Sequence, residues 1–188
     1  MSNRRLLIIF LLLLLASISL VLPLSSQDDI NCDEVLEIWQ IQGSQEEPNC
    51  LRKRITTENN IITAVGIRGF FIQTPAERSD NDITTSDGVY VSTNLPPARY
   101  DIKVGDLVNV TGRIVEFYFL TQIEAAPTRV EIISSDNPLP EPIDLTTVDL
   151  TPGTPHPLER YEGMYVQIIN LPAVASTNKF DEFGVTLD

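Results

Sequence analysis

The sequence predicts an all-β protein built on a small, strongly bent barrel. Thirteen prolines and nine glycines separate many short apolar runs, a pattern that punctuates turns and breaks helices. The longest run of strand-forming residues, 104–123, begins with a Gly-Asp turn signal and is rich in Val, Ile, Phe and Tyr. Its apolar residues fall on even positions as far as Ile114 and on odd positions from Val115, so we expect the buried face to change sides just after Gly112. A glycine at such a phase change marks a bulge or a sharp bend.

The N-terminus has the pattern of an export signal. Residues 1–26 contain Arg4 and Arg5, then an unbroken apolar run over 6–15, then small or turn-prone residues before an acidic segment. The apolar stretch extends to Leu22, close to the shortest length that spans a bilayer, so an uncleaved N-terminal anchor is the alternative. We expect a secreted or cell-surface protein with no other membrane partner.

Cys32 and Cys50, the only cysteines, follow this leader. An even cysteine count in an exported chain favours a disulfide, which we expect to fasten the entry of the domain. Residues 27–37 are predicted to be a linker that contains Cys32, and the domain itself is predicted to occupy 38–188. Residues 33–42 are compatible with a short helix or with a first strand.

From Asn59 onward the pattern is that of successive short strands. A hairpin turns at 66–69, a polar loop covers 74–87, and prolines recur through an extended connection over 135–157, with a turn of helix expected near 145–150. The remaining predicted strands are 88–93, the long run described above, 128–134, 161–171 and a last strand that opens at 183.

The charge of the chain limits its partners. The net charge is −13, and removal of the leader leaves 11 basic and 26 acidic residues, or −15. A domain this acidic does not attract a polyanion through its overall field, so contact with nucleic acid requires a local basic or aromatic patch. An acidic surface also keeps an exported protein soluble.

No catalytic constellation is evident. The single histidine, His156, stands between two prolines, which predicts a surface loop and gives no base for Ser/His/Asp chemistry and no zinc ligand set. The polar loop carries Asp80, Asp82 and Asp87, which are candidate calcium ligands although the spacing of an EF-hand is missing. The alternative is a solvated turn in which these side chains bond nearby backbone.

Aromatic and basic residues in the predicted strands suggest a stacking platform of the kind that small barrels use for single-stranded nucleic acid. Strand alternation allows only about half of the aromatic side chains to point outward. We expect Phe71, Phe117 and Phe119 in the core. The exposed candidates for nucleic-acid contact are Arg68, Phe70, Arg113 and Tyr118.

Six segments of the sequence, taken in order, resemble the N-terminal module of secreted bacterial nucleases. They are IQGS at 41–44, GFFIQ at 69–73, TSDGVYV at 85–91, VGDLVNVTG at 104–112, LTQI at 120–123 and LERYEGM at 158–164. The resemblance spans about residues 38–188, and one departure is Gln45, where the family usually has glycine. It implies an OB-like barrel that precedes a metal-dependent endonuclease/exonuclease/phosphatase domain acting on extracellular DNA.

None of that domain's catalytic residues falls within the sequence, so we expect the OB-like domain to be truncated at its C-terminus and any divalent metal to belong to the downstream domain. The resemblance implies a non-catalytic accessory module that positions DNA weakly or supports the nuclease domain. The alternative is an exported module that binds protein or glycan at the cell surface without a nuclease attached.

Overall fold

The barrel is closed and has OB topology. The computed structural model describes residues 30–93, 95–97, 100–146, 158–170, 172 and 176. Its strands are β1 (Arg54–Val65), β2 (Gly69–Gln73), β3 (Gly88–Ser92), β4 (Leu107–Glu116), β5 (Thr121–Glu124) and β6 (Val130–Ser134). They are ordered β1-β2-β3-β5-β4-β6, and a further β1–β4 pairing closes the first five strands into a barrel. Only the β3–β5 pair among them is parallel. The prediction of an all-β, OB-like barrel is confirmed.

Alternation along the strands builds the core. In β2 and β3 the side chains of Phe70, Ile72, Val89 and Val91 point inward and are fully buried. The facing strands contribute the other inward residues: Ile55, Ile62, Val108, Val110, Ile114 and Ile123. Because β-branched residues pack well on a pleated surface, this set fills the narrow interior of a five-stranded barrel.

The predicted phase change in β4 is wrong. The strand keeps its even positions inward through Ile114 and ends at Glu116, so Phe117 and Phe119 lie beyond it and are exposed. The bending occurs elsewhere: β1 pairs with both β2 and β4, and its register shifts between Thr57 and Asn60 and again between Ile62 and Ala64. Such bulges let one long strand turn the corner of a barrel.

Gly112 is required because β4 and β5 approach closely there. It does not mark a change in which side chains of β4 face the core. A Cβ at this position would stand 2.7 Å from the carbonyl oxygen of Glu124 and would also contact the Ile123 side chain. It is the point where β4 changes partners along one edge, from β6 over Leu107–Val110 to β5 over Arg113–Glu116.

The N-terminal segment closes one side of the barrel. Of the two predictions for 33–42, the helix is correct: α1 spans Ile38–Gln42 and buries Ile38 and Ile41. Gln40 and Glu37 form a capping box at its start. The predicted disulfide is also confirmed, with the Cα atoms of Cys32 and Cys50 5.7 Å apart.

The described residues beyond β6 form less regular structure. A two-residue strand, β7 (Ile143–Asp144), pairs in parallel with β8 (Val166–Gln167). Of the described part of the strand predicted over 161–171, only these two residues of β8 are strand, and a 3₁₀ turn at Glu159–Tyr161 precedes it. Several predicted features lie outside the described residues: the leader, most of the helical turn expected near 145–150, His156 and the last predicted strand. No helix within the described ranges is long and apolar enough to cross a membrane.

Candidate binding surfaces

A buried polar cluster joins four of the sequence segments that carry the nuclease-module resemblance. Its members are Gln42, Ser86, Thr121 and Glu162. The Glu162 carboxylate accepts hydrogen bonds from the Thr121 backbone N–H at 2.9 Å and from Gln42 Nε2 at 3.2 Å. Gln42 Nε2 also donates to the Gly88 carbonyl at 2.6 Å, and Ser86 Oγ donates to the Glu162 carbonyl at 2.6 Å. These motif residues are therefore explained by the fold.

Glu162 is the acidic member of this cluster, and its pKa is strongly raised. Burial raises its pKa to about 7, the hydrogen bonds from Gln42 and Thr121 act in the opposite direction, and the nearby charges of Glu159 and Glu116 add to the increase. Burial also raises the pKa of Glu116, whose carboxylate accepts a hydrogen bond from Thr121 Oγ1 at 3.1 Å. Two carboxyl groups thus flank one threonine at the start of β5.

Two glycines allow the 158–165 segment to lie directly on the barrel. Gly163 has a φ of +70°, and a Cβ there would stand 2.7 Å from the amide nitrogen of Val89. A Cβ on Gly88 would likewise collide with the Gly163 backbone. Next to this contact the Tyr165 N–H donates to Gln73 Oε1 at 2.7 Å. The segment is therefore fixed to the end of β2 and β3 where Gln73 pairs with Gly88, by backbone approach as well as by the polar cluster.

The outer face of β2 and β3 carries an aromatic pair. Phe71 and Tyr90 are cross-strand partners with ring centroids 4.9 Å apart, and both are half-buried. The Tyr90 ring lies over Gly69, since a Cβ on that glycine would collide with the tyrosine ring. Burial raises the pKa of the Tyr90 hydroxyl, and the nearby positive charge of Arg68 opposes that shift. Phe71 and Tyr90 therefore form an aromatic patch, with Arg68 near enough for its charge to act on the Tyr90 hydroxyl.

A groove adjoins this patch at the β1–β2 turn. It has a volume of about 460 Å³ and is lined by Ile67, Arg68, Ser92, Thr93, Leu95 and Pro96. Ile67 is 84% exposed, so an apolar side chain stands open beside the arginine. The patch and the groove together form the surface on which OB folds commonly hold extended ligands.

The structure does not bring the four predicted nucleic-acid residues together. Phe70 is fully buried in the core, so its selection as an exposed residue is wrong. The prediction of Phe71 as a core residue is also wrong, because Phe71 is half-buried on the outer face. Arg68 lies at one end of the strands, whereas Tyr118 lies in the β4–β5 turn at the other end. Arg113 is on the barrel wall. Gly69 pairs with Ser92, Ser92 with Glu124, and Glu124 with Arg113, so Arg113 lies three strand spacings, about 14 Å, around the barrel from Gly69.

The acidic loop bonds mainly to itself. Asp80 accepts hydrogen bonds from the Asp82 N–H and from Thr85 Oγ1, and Asp82 accepts two from Thr84, which lower the pKa of Asp82. Asp87 accepts one from Ser79 Oγ at 2.6 Å, while burial raises its pKa. In the part of the chain that the structure describes, no three His, Cys, Asp or Glu side chains are grouped to hold a metal ion. Asp80 and Asp82 thus bond nearby backbone as in a polar turn, and calcium binding by this loop stays a prediction.

Three consecutive aromatic residues form the tip of the β4–β5 hairpin. We call Phe117, Tyr118 and Phe119 the aromatic tip; they are 59%, 85% and 80% exposed. Phe117 and Leu120 exchange both backbone hydrogen bonds across a two-residue turn, at 3.1 and 3.2 Å. The prediction that Phe117 and Phe119 are core residues is therefore wrong. The signal that was missed is that β4 already fills its inward positions with Val108, Val110 and Ile114.

Comparison with known proteins does not show a family for this chain. The chain matches no protein-family model and no curated protein. Among solved structures it is similar to the hypothetical protein ygiW from E. coli, with 12% identity over 43% of this chain and 75% of that chain and a TM-score of 0.30. At that level the similarity carries no argument about function.

Proposed function

We propose that the chain is a non-catalytic, OB-like accessory module of an extracellular nuclease. In this role its outer β2–β3 face gives single-stranded DNA a weak local contact beside a downstream catalytic domain. The sequence resemblance alone supports the nuclease link. The cluster in which its motif residues meet supports the shared barrel. The Cys32–Cys50 disulfide supports an extracytoplasmic location, because disulfides persist in oxidising compartments.

The observation that carries the proposal is the placement of Arg68 beside the Phe71–Tyr90 pair. Aromatic rings on an OB face stack with bases of any sequence, and a guanidinium group next to them can pair with a phosphate. The net charge of −15 without the leader opposes the approach of a polyanion. We therefore expect an affinity no tighter than about 10⁻⁴ to 10⁻⁶ M at physiological salt.

The test is a titration of labelled oligothymidylate with the purified protein, at two salt concentrations, in the presence of magnesium and calcium. Arg68→Ala is compared with Arg113→Ala, which removes the same charge from the barrel wall. We expect Arg68→Ala to weaken binding about three- to tenfold and to reduce the salt slope by about 0.7, the share of one phosphate contact on a single strand. Arg113→Ala should have a much smaller effect.

Equal losses in the two variants would show that only overall charge matters and would overturn the assignment of this face. The DNA is also examined after each titration. Cleavage that persists through stringent purification and disappears with chelator would contradict a non-catalytic role.

A neutral glycan is the second candidate ligand, because five of the six residues that line the groove are uncharged. A sugar ring can stack on Tyr90 or Phe71 without electrostatic repulsion. Binding of a cello-oligosaccharide that is insensitive to salt and to Arg68→Ala, with no binding of oligothymidylate, would favour this function over the first.

A further inference from the structure

The turn in the aromatic tip has a sequence that its backbone does not favour. Tyr118 and Phe119, its two central residues, have φ values of +53° and +61°, as a type I′ hairpin turn requires. Such positions favour Asn-Gly, because bulky side chains are rare in the left-handed region. Neither ring is buried to compensate, since both are at least 80% exposed. Neither turn preference nor core packing explains these aromatic residues, and strained positions of this kind concentrate at functional sites.

An apolar cleft lies beside the aromatic tip. Its volume is about 420 Å³, and its apolar lining consists of Phe119, Leu120, Leu145, Leu158, Tyr161 and Val166. Two of these side chains, Phe119 and Leu158, are 80% and 46% exposed. The tip and the cleft therefore offer a continuous apolar surface, which on a small exported domain marks an interaction site.

Carboxylates surround this surface. Glu159 and Glu162 line the cleft, and its described lining residues include no lysine or arginine. The Arg160 guanidinium lies nearby, over the ring of Tyr161 at 4.8 Å from its centroid. Glu116 directly precedes Phe117, and its carboxyl group senses the charge of Glu47. Glu47, Glu116 and Glu159 repel a nucleic-acid strand, and they repel a second copy of this chain, which carries the same charges. Glu162, whose pKa is about 7, adds only part of a charge at neutral pH. These carboxylates attract the cationic side chain of a ligand whose neighbouring apolar side chain is bound in the cleft.

We propose that the aromatic tip and its cleft dock a polypeptide segment of a partner, in which an apolar side chain is flanked by lysine or arginine. The apolar side chain would enter the cleft against Phe119, and the cations would face Glu116 and Glu159. This surface is separate from Arg68, because the β4–β5 turn and the β1–β2 turn are at opposite ends of the strands. It does not depend on the proposed contact with DNA.

The test uses a peptide probe and a variant that keeps the turn. The probe is a labelled peptide with a central Leu-Trp-Leu flanked by two lysines on each side, and its control replaces the lysines with glutamates. The variant is Tyr118→Asn/Phe119→Gly, which supplies the residues preferred at a type I′ turn and removes both rings. We expect its Tm to equal or exceed that of the unmodified protein, so that loss of binding cannot be attributed to unfolding.

We expect the lysine peptide to bind, the glutamate peptide to bind at least about tenfold more weakly, and the variant to lose about tenfold in affinity for the lysine peptide. Amide chemical shifts on binding should change at residues 117–120 and not at Gly69 or Tyr90. Three results would overturn the proposal: no binding up to about 1 mM peptide, equal affinity for the two peptides, or equal affinity of the variant and the unmodified protein. The proposal would also be overturned if the tip were protected by oligothymidylate, by neutral phosphatidylcholine vesicles or by self-association, and not by the peptide.

Discussion

The carboxylate of Glu162 accepts a hydrogen bond of 2.9 Å from the backbone N–H of Thr121, the first residue of β5. This contact ties the 158–165 segment to a barrel strand 41 residues earlier in the chain. The carboxyl group that makes it has a pKa near neutrality, so the contact links folding to pH.

Stability is expected to depend on the protonation of Glu162. Its pKa is about 7 in the folded protein against an ordinary value of 4.5, so the folded state holds this proton more tightly than the unfolded chain does. The contribution of Glu162 to the free energy of unfolding is therefore highest below about pH 4.5 and declines as the pH rises to about 7. Allowing for solvent screening of this partly exposed group, the decline is on the order of 1–2 kcal/mol.

Glu162→Gln provides the control, because an amide oxygen still accepts the two hydrogen bonds and does not titrate. Urea unfolding at pH 5 and pH 8 should give the variant a smaller difference between the two values than the unmodified protein. An identical pH dependence in both proteins would show that Glu162 does not carry this effect.

Gly163→Ala should lower the free energy of unfolding by about 1–3 kcal/mol, because the residue has a positive φ and lies against the Val89 backbone. Gly66→Ala is the matched control, since a Cβ there would meet only the Gly69 carbonyl oxygen at an ordinary 3.5 Å. We expect the control to change stability by no more than about 0.5 kcal/mol in the same denaturation experiment. Similar losses at the two glycines would contradict the close approach of the 158–165 segment.

Gly112→Val should destabilise by about 1–3 kcal/mol, since a side chain there would collide with Ile123 and with the Glu124 carbonyl. Thermal unfolding followed by circular dichroism measures the loss. An unchanged Tm would mean that β4 and β5 are not as close at this point as the structure places them.

Removal of the disulfide by Cys32→Ser/Cys50→Ser should cost about 3 kcal/mol, as expected when a cross-link closes a loop of this size. Intact mass measurement of the unreduced protein should show the loss of two hydrogens. Two thiols that react readily with an alkylating reagent in the folded protein would contradict the pairing.

Most of the barrel could be predicted because its strands alternate and its turns contain glycine. The hairpin between β1 and β2 and the β3 strand follow from such patterns at Gly66, Gly69 and Gly88. The aromatic tip could not be predicted, because Tyr118 and Phe119 occupy a tight turn without a turn-forming residue, and the aromatic alternation suggested a continuing strand.

The candidate surfaces were harder to predict than the strands. Which of Phe70 and Phe71 faces inward follows from strand alternation, since Phe70 shares its face with Ile72 and Phe71 shares the other face with Gln73, and this signal was missed. The separation of Arg68 from Arg113 depends on the β3–β5 parallel pairing, a contact between strands that are not neighbours in the chain. Local patterns carry no information about such pairings.

The long sequence separations within the polar cluster have a consequence for folding kinetics. Gln42 and Glu162 are 120 residues apart, so their contact closes one of the largest loops in the domain. Because the entropy of closing such a loop is lost before the contact contributes, we expect this contact to form after the folding transition state. Substitutions in the cluster should then speed unfolding and leave the folding rate nearly unchanged, so that the 158–165 segment governs how long the barrel stays folded.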